Sequence, residues 1–391
     1  PVGDDVFGDD PSVNALEGHL KRPPFQRLIG RRACAGQKSF SADTVARVLD
    51  SLKLSELRAV LHEVLGKAER NKVFRDGSYG ARRVVALDGW ESFSSYKRRC
   101  EHCLVRVIRK EDKTVEQYYH RFVVALLLGP DTEVVLDLEP LRTADLRRQA
   151  GEVTEAHDGE QTAALRLVER LHAQFGNFID LFVLDALYPN GPVMTRLTER
   201  GYGAIITLKK ETDEPFKEAL GLMHGQAASK VWDDPDKGEH IEAWDVDDLE
   251  TLDTFKGKVR VIRAVVSSPR TEHTHTWCAA VVGERTRQLG ARTVHQIHRA
   301  RWHLENTAFN QWTQQWHLNH AYRHTPGGVM AVLLVWCLAF NLMQLFVYKR
   351  LRRPRQPKDP CSTIRDLVTE MLEGLLRLKA PLPWPLLIDS S

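Results

Sequence analysis

The spacing of apolar residues changes twice along the chain. "SADTVARVLDSL" (Ser41 to Leu52) opens on a capping serine or aspartate, and "KLSELRAVLHEVLGKAERNKVF" (Lys53 to Phe74) repeats apolar positions at i, i+3, i+4 and i+7. That period predicts helices. Residues 12–80 therefore read as a helical N-terminal domain, behind an acidic, glycine-rich start, 1–11, expected to fray. "RDGSYG" breaks the pattern with turn residues. From there the apolar runs shorten and fill with valine. "RRVVALDG", "LVRVIRK", "VEQYYHRFVVALLLG" and "TEVVLDLEPL" each predict a strand. "EQTAALRLVERLHAQFG" is an amphipathic helix closed by Gly176, and "DLFVLDALYPNG" is another strand. "PVMTRLTERG" is a helix opened by proline and closed by glycine, and "YGAIITL" is a further strand. Several strands followed by alternating helix and strand predict an α/β core, a mixed sheet covered by helices, over 81–208.

The rhythm then stops. Over 209–292 an acidic stretch, "WDDPDKGEHIEAWDVDDLETLD", precedes two strand-like runs, "KVRVIRAVVSS" and "HTHTWCAAVVG". This segment reads as a β-rich insertion. The core resumes over 293–350 with a helix carrying Glu305 and the apolar run "GVMAVLLVWCLAFNLMQLFVY". That run is about the ~20 residues a bilayer crossing requires. Asn341 and Gln344 interrupt it, and a helix apolar all round is also what a large soluble fold buries. The buried helix is the preferred reading, so no membrane partner is expected. Residues 351–391 hold a linker, "RRPRQPKDP", an amphipathic helix, "STIRDLVTEMLEGLLRL", and a proline-broken tail.

Composition narrows the function only a little. The chain has 391 residues, 42% hydrophobic and 27% charged, which suits a soluble protein of two or three domains. The net charge of +3 is mild, yet the charges are segregated. "KRPPFQRLIGRR", "YKRRC" and "YKRLRRPRQPK" are basic against the acidic run above. Such segregation fits a polyanion-facing side, although any single run could be a solvated face. Six scattered cysteines do not make a disulfide framework, which points to a reducing compartment. No signal peptide opens the chain, and its start without methionine suggests a processed or truncated product. No phosphate-binding P-loop, dinucleotide fingerprint or serine nucleophile elbow is present, so those chemistries lose their main support.

Two aspartates end apolar strands: Asp88 in "VVALD" and Asp185 in "LFVLD". Strand ends in α/β sheets are where ligand sites form. Were those strands neighbours, Glu305 on the later helix could complete a three-carboxylate cluster. Such a cluster repels itself unless cations are present, and oxygen-only ligands select Mg²⁺ or Mn²⁺. Taken singly, each aspartate could instead cap a helix or start a turn, "DG" being a common turn pair. Asp137 in "LDLEP" is the reserve candidate. Arg301, one turn before Glu305, could hold a phosphate or simply pair with that glutamate. Trp302 and Trp312 could stack on a splayed base, although core packing is the commoner use of tryptophan. Lys97, Arg98 and Arg99 form a basic run just past Asp88 that could meet a polyanion backbone, although exposed basic runs often do nothing specific. Cys100 and Cys103 in "CEHC", with His120 on the next strand, are half of a zinc site, and partly buried thiols are the preferred reading. His273, His275, His317, His320 and His324 carry no metal motif and read as core or DNA-facing.

The segments "LDGWESFSSYKRRCEHCL", "FVLDALYPNGPVMTRLTERGYGAIITLKK" and "HRARWHLENTAFNQW" resemble the DDE transposases of bacterial insertion sequences. Their glutamate helix carries a Y-x2-R-x3-E-x6-K signature. Arg301, Glu305 and Asn306 keep the R-x3-E spacing, whereas His298 replaces the tyrosine and Trp312 the lysine. The resemblance covers about Arg82 to Tyr348. It implies an RNase H-like fold with a β-rich insertion before the glutamate helix, and a catalytic, metal-binding triad of Asp88, Asp185 and Glu305 holding two Mg²⁺ or Mn²⁺ ions. DNA contacts would fall on Lys97, Arg98, Arg99, His298, Arg301, Trp302 and Trp312. The partners implied are double-stranded DNA, both transposon terminal repeats and target, and a second copy of the chain in the DNA complex. The helical region 12–80 would help bind DNA ends, and the location would be the bacterial cytoplasm, with the nucleoid. A catalytically silent DNA-binding derivative, or a nuclease of the same fold without joining activity, are the alternatives.

Overall fold

The computed structural model describes residues 40–74, 79, 81–110, 113–129, 132–209, 214–250, 252–268 and 273–347, with isolated positions at 17, 18, 20–23, 26 and 374. The expected frayed start, the linker 351–360 and, but for Gly374, the final helix lie outside the described residues.

The valine- and leucine-rich runs join in one mixed sheet of ten strands. In chain order these are β1 (Val84–Ser95), β2 (Leu104–Lys110), β3 (Lys113–Leu128), β4 (Val134–Pro140), β5 (Leu181–Leu184), β6 (Gly203–Thr207), β7 (Lys230–Asp234), β8 (Glu239–Leu249), β9 (Val259–Ser268) and β10 (His273–Val282). Their spatial order is β2-β3-β1-β5-β6-β10-β9-β8-β7, and β4 also pairs β3. β1, β5 and β6 run parallel, while β3 is antiparallel to β1 and to β4. The inner order β4-β3-β1-β5-β6, three parallel strands beside an antiparallel pair, is that of an RNase H-like sheet.

The paired cores of β1, β4, β5 and β6 are buried on both faces, and their two-residue period sorts the side chains into two cores. Val85, Leu87, Phe182 and Leu184 join one with Ala163, Leu167 and Leu171 of α4 (Glu160–Phe175) and Val193 and Leu197 of α5 (Gly191–Glu199). Val84, Ala86, Leu181 and Val183 join the other with Val294 and Ile297 of α8 (Ala291–Ala300) and Leu333 and Phe340 of α10 (Pro326–Phe346). The remaining helices are α1 (Ala42–Ser51), α2 (Leu54–Arg70), α3 (Ala144–Gln149), α6 (Glu214–Met223), α7 (Glu284–Arg287) and α9 (Asn310–Gln314).

Residues 209–292 do not stand apart from this core. β10 pairs antiparallel with β6, and β9, β8 and β7 continue the same sheet outward. The acidic run, which the sequence left without elements, forms the β7–β8 hairpin. Asp and Glu are depleted in strands, but in β8 Ile241 and Ala243 turn inward and leave the acids at or near the surface.

The N-terminal helices likewise share the core of the sheet. Leu61 of α2 enters one cluster, and Leu65 and Ala68 enter the other. Arg58 and His62 of the same helix reach Asp137 of β4 at 2.9 and 3.2 Å, and Arg170 of α4 reaches it at 2.7 Å. The apolar α10 covers α1, α2 and β4. Thr325 caps its start through the Gly328 amide at 3.3 Å. Its one fully buried polar side chain among the described residues, Asn341, both donates to and accepts from the Val135 backbone at 2.8 Å. The amide thereby satisfies a peptide group on the edge of β4 as a neighbouring strand would.

Candidate active site

β1 and β5 are adjacent parallel strands in register, Val84 with Leu181 through Leu87 with Leu184. The next residues, Asp88 and Asp185, therefore adjoin at the end of the paired stretch. After Leu184 the chain turns, with Asp185 Oδ1 accepting from the Leu187 amide at 2.8 Å. β1 instead runs on, because β3 continues to pair with it. The two carboxylates thus share one sheet edge for a simple reason: equal apolar runs precede each of them.

The third acid arrives from the opposite layer. α8 ends at Ala300, and Leu304–Phe309 form a π-helical turn around Glu305. Such wide turns recur at functional sites. Arg301 is 5% exposed, and its Nη1 donates to Asp88 Oδ2 at 3.2 Å and to Glu305 Oε1 at 2.7 Å. One guanidinium nitrogen therefore spans two acids remote in the chain. Of the two uses considered for Arg301, the ion pair is the one seen here. Burial, and then the charge of Asp185, push the Asp88 carboxyl up to about 7, against the Gly89 amide and Arg301, which lower it. A single arginine does not offset this gathering of acids.

A fourth acid escaped the sequence. Glu160, first residue of α4, is 7% exposed, with Oε1 accepting from the Tyr188 hydroxyl at 2.9 Å and Oε2 paired with Arg121 at 2.7 Å. It lies over Gly89, where a Cβ would come within 2.0 Å of Glu160 Oε2. The "DG" pair is therefore no turn: Gly89 sits inside β1 because a carboxylate occupies the space of its missing side chain. An acid in a helical first turn has an ordinary explanation in the helix dipole, so nothing in the sequence marked Glu160.

The other expected site residues divide. Lys97, Arg98 and Arg99 are exposed just beyond β1, with the Lys97 and Arg98 amides bonded to Ser95 Oγ. Trp302 is 52% exposed, with the Arg301 guanidinium 5.6 Å from its ring centre. His298 and Trp312, expected to face DNA, are inside the protein. His298 hydrogen-bonds Thr207 at 3.0 Å and stacks on Trp277 at 4.9 Å, and burial lowers its pKa to about 3, leaving the ring neutral. Trp312 is 2% exposed and packs on Trp90 at 5.2 Å and Phe340 at 5.8 Å. For Trp312 this burial is the core packing that the tryptophan by itself favoured; only its place in the signature pointed to DNA. Asp137, the reserve candidate, lies two strands from Asp88 and is consumed by Arg58, His62 and Arg170.

An RNase H-like sheet with acids at the ends of adjacent parallel strands, joined by a glutamate from a covering helix, defines a class of nucleotidyl-transfer proteins. Residues 149–342 match the family described as transposase DDE domain. The chain belongs to the DDE transposases, enzymes that act on DNA with divalent metal ions. The match takes in Asp185 and Glu305 and begins after β1, so Asp88 is brought in by strand pairing alone. No curated protein matches the sequence.

Proposed function

We propose that this transposase cleaves transposon ends and joins them to target DNA through Asp88, Asp185 and Glu305. The observation that carries this reading is the Arg301 bridge, which ties Glu305 to Asp88 beside the strand end bearing Asp185. The donor set fits Mg²⁺ or Mn²⁺: it is all oxygen, and burial together with the charge of Asp185 raises the Asp88 carboxyl to about 7, so a cation there would relieve the site. Asp88, Asp185 and Glu305 would hold the ions, proposed as two, between them. Ions held there would activate the attacking oxygen and stabilise the leaving one. Arg301, which lies between Asp88 and Glu305, would place a positive charge beside the scissile phosphate. Water attacks phosphorus in nicking and frees a 3′-hydroxyl as the P–O bond breaks, and in joining that hydroxyl attacks the target phosphate and displaces the target strand's own 3′-oxygen, which leaves as a hydroxyl.

Lys97, Arg98, Arg99 and Trp302 are the contacts proposed for DNA, and a second chain is proposed to hold the other transposon end. Leu61 and Leu65 belong to the sheet cores, so end recognition by the N-terminal helices needs surface substitutions rather than deletion as its test. The half-buried α10, clamped by Asn341, supports a core helix without a membrane, in keeping with a cytoplasmic protein at the nucleoid. Purified protein, terminal-repeat duplex and Mg²⁺ or Mn²⁺ provide the assay. Nicks and joined products are expected from the native protein and neither from Glu305→Gln. Nicks without joined products would indicate a nuclease, and no nicks at all a silent DNA-binding derivative.

A further inference from the structure

Beyond the end of β1, away from the carboxylates, three distant chain segments bring thiols and imidazoles together. Cys100 and Cys103 lie in the β1–β2 connection, half-buried and buried. His120 stands on β3 opposite Phe93 of β1 and is 7% exposed. His324 directly precedes Thr325, the capping residue of α10.

The two sulfurs and His120 already have the spacing of a coordination shell, and His324 lies near both sulfurs. The sulfurs are 3.6 Å apart, and His120 Nε2 lies 3.2 Å from Cys100 Sγ and 3.4 Å from Cys103 Sγ. The ligand atoms of Cys100, Cys103 and His324 all fall within 4.8 Å of one another. A tetrahedral Zn²⁺ with bonds near 2.3 Å to sulfur and 2.0–2.1 Å to nitrogen requires ligand separations of roughly 3.3–3.8 Å. Hydrogen bonding among neutral groups does not account for the cluster. One ring nitrogen carries either a single proton or a single lone pair, yet both sulfurs converge on His120 Nε2. His324 Nε2 is buried with no hydrogen-bond partner, which a buried polar atom rarely tolerates. The Cys100 amide points at Cys103 Sγ from 3.2 Å, a donor suited to a thiolate.

We propose that Cys100, Cys103, His120 and His324 bind one structural Zn²⁺, separate from the carboxylate centre. Two thiolates and two imidazoles select zinc over Mg²⁺ or Ca²⁺. The ion would staple the β1–β2 connection to β3 and to the start of α10, and so fix the base from which Lys97, Arg98 and Arg99 project.

Metal content of the purified full chain tests this, with zinc counted per chain and Co²⁺ used as a spectroscopic substitute. One zinc per chain is expected, together with the intense visible bands and thiolate charge transfer of tetrahedral Co²⁺ with two sulfurs. Chelation should lower the melting temperature by roughly 5 °C or more. Cys103→Ser and the milder His324→Asn should lose the stoichiometric zinc, and Asp88→Asn should keep it. Should a variant fail to fold, stoichiometry and the Co²⁺ spectrum of the native chain still decide. Native protein that takes up neither metal, or that carries a Cys100–Cys103 disulfide instead, overturns the site. So does zinc that stays in both ligand variants or leaves with Asp88→Asn.

Discussion

Asp88 and Asp137 are buried aspartates of one sheet, two strands apart, whose carboxyl groups are driven in opposite directions. Around Asp137 burial alone would raise the pKa, but the His62 hydrogen bond and the charges of Arg170 and Arg58 overcome it and hold the group well below the usual range. Around Asp88 burial and Asp185 prevail, and Arg301, shared with Glu305, does not restore the balance. A buried acid with cations enough of its own is a fastener between elements. One left short of positive charge has a use for more of it. This surplus separates the site from the scaffold better than burial or strand position does.

The largest expected effect is on chemistry. Asp88→Asn should lower cleavage of a terminal-repeat duplex by on the order of 10³-fold or more, the scale of losing one member of a catalytic unit. Binding of the same duplex should hold, since the lost carboxylate is no DNA anchor. Native cleavage rates in this variant would end the assignment.

Asp137→Asn should do the reverse. It leaves Arg58 and Arg170 short of a counter-charge in the interior, which costs about 3–5 kcal/mol of stability, read as a shift of the urea midpoint. An unchanged midpoint would show that the cluster does not fasten α2 and α4 to β4.

A pH series sharpens the contrast. A depressed carboxyl contributes stability above its unfolded value and loses it as pH falls further, so the stability Asp137 supplies is complete above about pH 4 and drains away below it. A raised carboxyl acts in the other direction. Between about pH 4 and 7 the folded state keeps a proton on Asp88 that the unfolded chain has lost, so stability falls as pH rises through that window. In EDTA the native protein should lose a few kcal/mol more than Asp88→Asn between pH 5 and 8. Equal losses would mean that Asp88 is not held protonated.

The smallest stability effect is expected at Trp302. Its replacement by alanine should leave stability within about 0.5 kcal/mol while weakening end binding by about 1–3 kcal/mol, if a base stacks there. Trp312→Ala should instead cost about 3–5 kcal/mol of stability. DNA affinity indifferent to Trp302 would remove it from the interface.

Much of the scaffold was legible. "VVAL" and "LFVL" mark themselves as buried strands, and Gly176, Asn190 and Pro192 mark where helices stop and start. Arg301 and Glu305 are neighbours on any helical projection. Less legible was whatever depended on partners remote in sequence. Glu160 resembles a routine first-turn acid until Gly89 is seen beneath it. His298 looks available to DNA until Thr207 and Trp277 are seen around it. The β7–β8 hairpin is hidden by its acids, and His324 has no motif to join it to the two cysteines.

By itself, the sequence determined the periods of its elements, the apolar runs that place Asp88 and Asp185 at matched strand positions, and a helix able to carry an acid. Those are local properties, set by side-chain shape and solubility over a few residues. Only the tertiary structure decided that β1 and β5 are neighbours, that Arg301 reaches across to Asp88, and that Asp137 is neutralised while Asp88 is not. Electrostatic character depends on the charges within a few ångströms in space, and chain order does not report those distances.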